Sequence, residues 1–116
     1  MLRAKLTIIF SVAVIAIAAC GSSEPARFSI AANSGYESSL FRQNCAICHG
    51  PEGDGKTLDD GTVVPSLRMG EFKKNGETDI YNQISEGANG MTPFRTQLTE
   101  REMRLLTDLV HNKLRQ

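Results

Sequence analysis

The chain has no tryptophan, two histidines, three cysteines and no surplus of charge, with 13 Lys and Arg against 13 Asp and Glu. The charge balance gives no argument for nucleic-acid binding, which draws on a basic surface. No segment alternates apolar and polar residues as a strand would, so the pattern excludes a sheet-based domain. No apolar run reaches a comfortable membrane span; the longest, residues 6–19, is fourteen residues without a charge. At 116 residues the chain holds one domain at most, and with 6% aromatics it has little material for a core. A buried prosthetic group would supply much of what is missing.

What is present begins with a leader. Arg3 and Lys5 precede the uncharged run, which has the length of a signal-peptide apolar region. It ends in Ile17-Ala18-Ala19-Cys20. This resembles a bacterial lipobox, which implies cleavage after residue 19 and diacylation of Cys20. Cleavage at Ala16-Ile17-Ala18 and an uncleaved anchor are the alternatives. Removing residues 1–19 takes away two basic residues and no acid, which leaves the remainder mildly acidic. Residues 20–33 then read as a lipidated N-terminus and tether. They mix Gly, Ser, Glu and Pro with little periodicity, and Phe28 and Ile30 are able to dock on the domain.

The folded domain is expected over 34–116. A first helix fits residues 34–50, with Ser34 as cap, Glu37 three residues on, and Gly50-Pro51 as the stop. Residues 51–67 carry three Gly and two Pro and read as an irregular loop. A middle helix fits 78–87, with Thr78 or Asp79 near its cap, Ile80 and Ile84 one turn apart, and Gly87 at its end. A short helix between Ser66 and Lys74 is a weaker reading. The last helix opens on a capping box, Thr99 to Glu102, and carries Met103, Leu106, Val110 and Leu114 as one stripe. The fold expected is all-α, three to five helices with long loops, and loops that long in a small domain usually hold something.

Residues 45–50, CAICHG, gather two of the three cysteines and one of the two histidines. On a helix, Cys45, Cys48 and His49 stand at i, i+3 and i+4 and project toward one side. Two thiols suit thioether bonds at the edge of a haem, and the imidazole suits its iron; C-x-x-C-H is the signature of c-type haem attachment. A thioredoxin-type dithiol would sit at a helix N-terminus after a strand. A structural zinc needs four ligands, and only His111 and Cys20 remain to complete the set. For the iron's other side the candidates are Met69, Met91, Met103, His111 and Lys73. Met103 lies on the apolar stripe as core filler. Met91 has the stiffer frame, between Gly87, Gly90 and Pro93, with Met69 as runner-up.

Taken together, CAICHG followed by PEGDG, the loop ISEGANGMTPF and the final LTEREMRLLTDLV resemble a class I monohaem c-type cytochrome. The resemblance implies a small cytochrome c fold around one covalently bound haem c. It implies Cys45 and Cys48 as thioethers, His49 and Met91 as axial ligands, and the carbonyl of Pro65 as acceptor for the other His49 nitrogen. The chain departs from the pattern in having Ser38 where many members place a glycine in the first helix. It also has Met91-Thr92-Pro93 in place of a Met-Pro step, and no Trp to contact a propionate. The function implied is electron transfer without catalysis, on the periplasmic side or surface of a bacterial cell. The domain would be anchored by lipid and would meet redox partner proteins. The alternatives are a haem subunit of a larger membrane oxidoreductase, or a gas-binding or peroxidase-like domain with a displaceable sixth ligand.

Overall fold

The computed structural model of the chain describes residues 26–115, so the expected leader and the expected lipidation site Cys20 lie outside the described residues. Helix α1 is Tyr36–Asn44 and α2 is Ala46–His49; a small hairpin, β1 Lys56–Thr57 with β2 Val63–Val64, follows. Helix α3 is Glu77–Glu86, and α4, Glu100–Asp108, runs on as a π-helical stretch, Leu109–Leu114. The fold is the expected helical one. No helix among the described residues is long and apolar enough to cross a membrane.

The helix starts divide into one expected and two shifted. Thr99 caps α4 as the pattern requires: its side chain accepts from the Glu102 N–H, and the Glu102 carboxylate accepts from the Thr99 N–H at 2.8 Å. Helix α1 is capped at Gly35 and not at Ser34, because the Asn33 side chain takes the Gly35 N–H at 2.7 Å and the Ser38 hydroxyl at 3.1 Å. Helix α3 starts at Glu77 behind an extended Gly76, ahead of both expected caps. The 51–67 segment is not wholly irregular either, since Lys56 and Thr57 pair antiparallel with Val64 and Val63. Residues 66–74 form no helix.

Helix α4 packs on α1 and α3. Leu40 and Phe41 of α1, Ile80 and Ile84 of α3, and Leu106 and Leu109 of the last helix form the core. Ser38 is fully buried on α1, where a small residue permits close packing, and its hydroxyl is satisfied by Asn33. Ile30 is also completely buried in this core, and Phe28 packs against it. The packed domain therefore begins several residues before 34. The segment 29–33 is clamped by polar bonds: Arg42 donates to the carbonyls of Ile30 and Asn33, and Glu52 accepts from the Ser29 hydroxyl and the N–H groups of Ile30 and Ala31.

Candidate haem-binding site

Helix α1 does not run straight through the cysteine pair. It ends at Asn44, Cys45 turns the chain, and the single turn α2 carries Cys48 and His49. The Cys45 carbonyl still accepts from the N–H groups of Cys48 and His49, at 3.1 and 2.9 Å, so the three side chains keep their helical spacing. Cys45 is half-buried against the core, Cys48 is exposed, and both are free thiols. Ile47 between them is 74% exposed.

Burial, and then the neighbouring Cys48, push the Cys45 thiol up to about 12. A thiol held protonated in this way is the opposite of the activated thiolate that a redox dithiol requires. Among the described residues, no three His, Cys, Asp or Glu side chains come together as a metal site. Burial lowers the His49 imidazole below its ordinary value, which keeps it neutral with a lone pair free to ligate. Its Nδ1 is buried and has no hydrogen-bond partner, an arrangement a protein does not leave without cause. Two free thiols and a neutral, incompletely partnered imidazole at these spacings fit haem c. The expected bond from Nδ1 to the Pro65 carbonyl is not formed in this structure.

Pro65 is nonetheless held close to the motif. Gly55 donates its N–H to the His49 carbonyl at 2.9 Å, at a φ of +79°. Its α-carbon lies so tightly against the backbone of Val64, Pro65 and Ser66 that a Cβ there would collide with all three. Glu52 and Arg68 fix the same loop from outside. Arg68, its side chain 2% exposed, donates Nε to the Glu52 carbonyl and Nη2 to the Glu52 carboxylate at 3.0 Å.

The loop that carries Met91, the expected second ligand, sits at the end of α3. Gly87 stops the helix, and Ala88 and Met91 exchange backbone hydrogen bonds of 3.1 and 3.0 Å around Asn89-Gly90. The chain then returns along the helix, Phe94 donating to the Ile84 carbonyl and Arg95 to that of Ser85. Met91 is half-buried against the core cluster that also receives Cys45. The other candidates lie differently. Met69 is 70% exposed, Met103 is core, Lys73 is exposed, and the His111 Nδ1 pairs with the Asn112 side chain at 2.8 Å.

Comparison with known proteins supplies the family. The family model described as cytochrome c oxidase, cbb3-type, subunit III matches residues 36–110. Cytochrome c6 of Thermosynechococcus vestitus is 31% identical over 93 residues, 80% of this chain and 80% of that protein. The chain belongs to the monohaem c-type cytochromes. Cytochrome c6 of Thermostichus vulcanus matches to the same extent. The solved KustC0563 c-type cytochrome superposes with a TM-score of 0.58 at 30% identity, over 67% of this chain and 95% of its own. As a c-type cytochrome the protein holds one covalent haem c, with Cys45 and Cys48 at the attachment spacing, and transfers electrons.

Three residues that hold this cytochrome's loops were not among the sequence candidates: Glu52, Arg68 and Gln83. Gln83, on the last turns of α3, donates Nε2 to the carbonyls of Gly87 and Ala88 and approaches the Met91 sulfur at 3.8 Å. Its position eight residues before Met91 was the available signal, since one helical end and a tight turn bring the two together.

Proposed function

We propose that this cytochrome carries single electrons outside the cytoplasm of a bacterium, on the periplasmic side or cell surface, tethered to a membrane by lipid on Cys20. His49 and Met91 are the residues that would hold its haem iron. Bound haem supplies one-electron redox chemistry at iron, and the chain's residues set how that chemistry runs. Cys45 and Cys48 fix the macrocycle as thioethers. His49 stays neutral and ligates, and the carbonyl of Pro65, carried by the turn against Gly55, accepts from its Nδ1 in the loaded protein. Met91, a soft thioether, favours reduced iron and so raises the potential relative to a second imidazole. A site held from both sides by His49 and Met91 would pass electrons and would not activate oxygen. The observation that carries this reading is the placement of the methionines: among the described residues, Met91 alone of them is both half-buried beside the core and held on a loop pinned to α3.

Met91→Ala is expected to abolish the far-red sulfur–iron charge-transfer band, with Met69→Ala leaving it intact. The reverse result assigns the ligand to the Met69 loop. A reduced spectrum indifferent to carbon monoxide is expected of the closed site; rapid binding would favour a gas-binding or peroxidase-like role. Fatty-acid labelling that disappears in Cys20→Ser tests the anchor.

The family match favours a second reading, in which the domain is the haem subunit of a larger membrane oxidoreductase. Gentle detergent extraction separates the two. A free carrier leaves the membrane alone, and a subunit brings stoichiometric partners. In either case redox contacts are expected to be small and weak, and exposed Ile47 offers an apolar point at the attachment edge.

A further inference from the structure

The loop that carries Met91 is wound against the preference of one of its residues. Gly87, Ala88, Asn89 and Gly90 have φ values of 72°, 118°, 52° and 86°, four positive angles in succession. Glycine adopts them freely, and Asn89-Gly90 is the pair a type I′ turn selects. Ala88 is different. Its Cβ makes φ of 118° a strained conformation that persists only where neighbouring contacts hold it.

Gln83 makes those contacts. Its Nε2 lies 3.1 Å from the Gly87 carbonyl and 3.2 Å from the Ala88 carbonyl. These two carbonyls belong to the peptide planes on either side of the Ala88 α-carbon. Fixing both planes fixes the dihedral angles between them. The same nitrogen stands 3.8 Å from the Met91 sulfur, within reach of a weak hydrogen bond. The Gly87 carbonyl, the Ala88 carbonyl and the thioether are all acceptors, so a donor is needed here, and a carboxylate would be repelled.

We infer that Gln83 is the positioning residue for Met91: its amide holds Ala88 in the strained turn and thereby keeps the thioether presented for ligation. The inference rests on the reading of Met91 as ligand only for its spectroscopic consequence. The clamp on the loop has an independent readout in the protein backbone. The Ala88 and Met91 N–H groups bond each other's carbonyls, and their exchange with solvent reports how often the turn opens.

The test uses the haem-loaded protein in four forms: wild type, Gln83→Leu, Ala88→Gly and the double variant. Gln83→Leu keeps the size and removes the donor. Amide exchange at Ala88 and Met91 is expected to quicken by roughly tenfold, the effect of losing about one hydrogen bond. Added imidazole should displace the sixth ligand at correspondingly lower concentration. Ala88→Gly removes the strain the clamp opposes, so in the double variant both properties should return most of the way to wild type. That return distinguishes a clamp from a general loss of packing, which a glycine would worsen. If Gln83→Leu fails to fold, Gln83→Glu, of the same size, replaces it with the same expectations.

Unchanged exchange at Ala88 and Met91 in the Gln83 variant overturns the proposal, as does a double variant no better than the single one. If exchange responds as expected but the far-red band survives in Met91→Ala, the clamp stands and the assignment of Met91 as ligand falls.

Discussion

One added methyl group separates the glycines that the site requires from those it merely tolerates. Gly55 and Gly61 have nearly the same φ, +79° and +85°, yet a Cβ at Gly55 would strike the Val64–Ser66 backbone and one at Gly61 would meet nothing within 4 Å. Gly61→Ala is expected to cost only its backbone strain, on the order of 1 kcal/mol. Gly55→Ala adds a collision with backbone that cannot swing away, and should cost about 2–4 kcal/mol. Denaturant unfolding of the two loaded variants checks the difference, and equal losses would show that the close approach does not matter. At this scale the sequence was most legible where chemistry has a fixed spacing. The C-x-x-C-H declares its residues because two thioethers and an imidazole permit few other arrangements. Glu52, Arg68 and Gln83 stayed hidden because a charged or amide side chain in a loop or at a helix end looks the same whether it is solvated or clamps a distant carbonyl.

At the scale of elements, local signals succeeded when both halves of an interaction lay within one turn. The box from Thr99 to Glu102 is such a case, and the structure forms it in full. The starts of α1 and α3 were displaced to glycines that were not among the expected caps, Gly35, whose N–H the Asn33 side chain accepts, and an extended Gly76. The turn at Cys45 left no sequence trace, as the apolar spacing continues across it. The capping box also joins two helices: Glu102 accepts the Tyr36 hydroxyl of α1, and that bond first, with the Thr99 bonds after it, lowers its carboxyl to about 2. Thr99→Ala should cost about 1 kcal/mol in the unfolding of the loaded protein. Because the Glu102 carboxyl sits below its unfolded value, whatever Tyr36 contributes through it is present at neutral pH and lost as pH falls toward about 2. A Tyr36→Phe variant is therefore expected to differ from wild type near neutrality and to converge with it in strong acid.

For the molecule as a whole, the most consequential difference from the expected tether is that residues 28–33 are part of the domain. Composition reads this segment as linker, since Gly, Ser, Glu and Pro around it show no period. What holds it is non-local: buried Ile30, and a carboxylate twenty-two residues away. Glu52 thus joins three parts of the chain: the segment leading from the N-terminus, the loop after the haem motif, and buried Arg68. Burial opposes its ionisation, but the N–H groups of Ala31 and Ile30, the Ser29 hydroxyl and the Arg68 charge together hold its carboxyl below the ordinary range. Asp54 stands beside the same guanidinium and pairs with Arg27, so the junction carries two acids and two arginines. With the folded value below the unfolded one, the stabilisation from Glu52 is complete above the ordinary carboxylate range and disappears as pH falls through the lowered value. Glu52→Gln keeps one acceptor oxygen but loses the charge that faces Arg68, and should cost about 1–3 kcal/mol near neutral pH. Measured by denaturant at about pH 7 and again at about pH 3, the gap between variant and wild type should narrow in acid. A gap that stays constant would mean that Glu52 acts through its shape and hydrogen bonds alone. In that case the junction would be a polar clasp indifferent to charge, and the acid sensitivity of the domain would have to arise elsewhere.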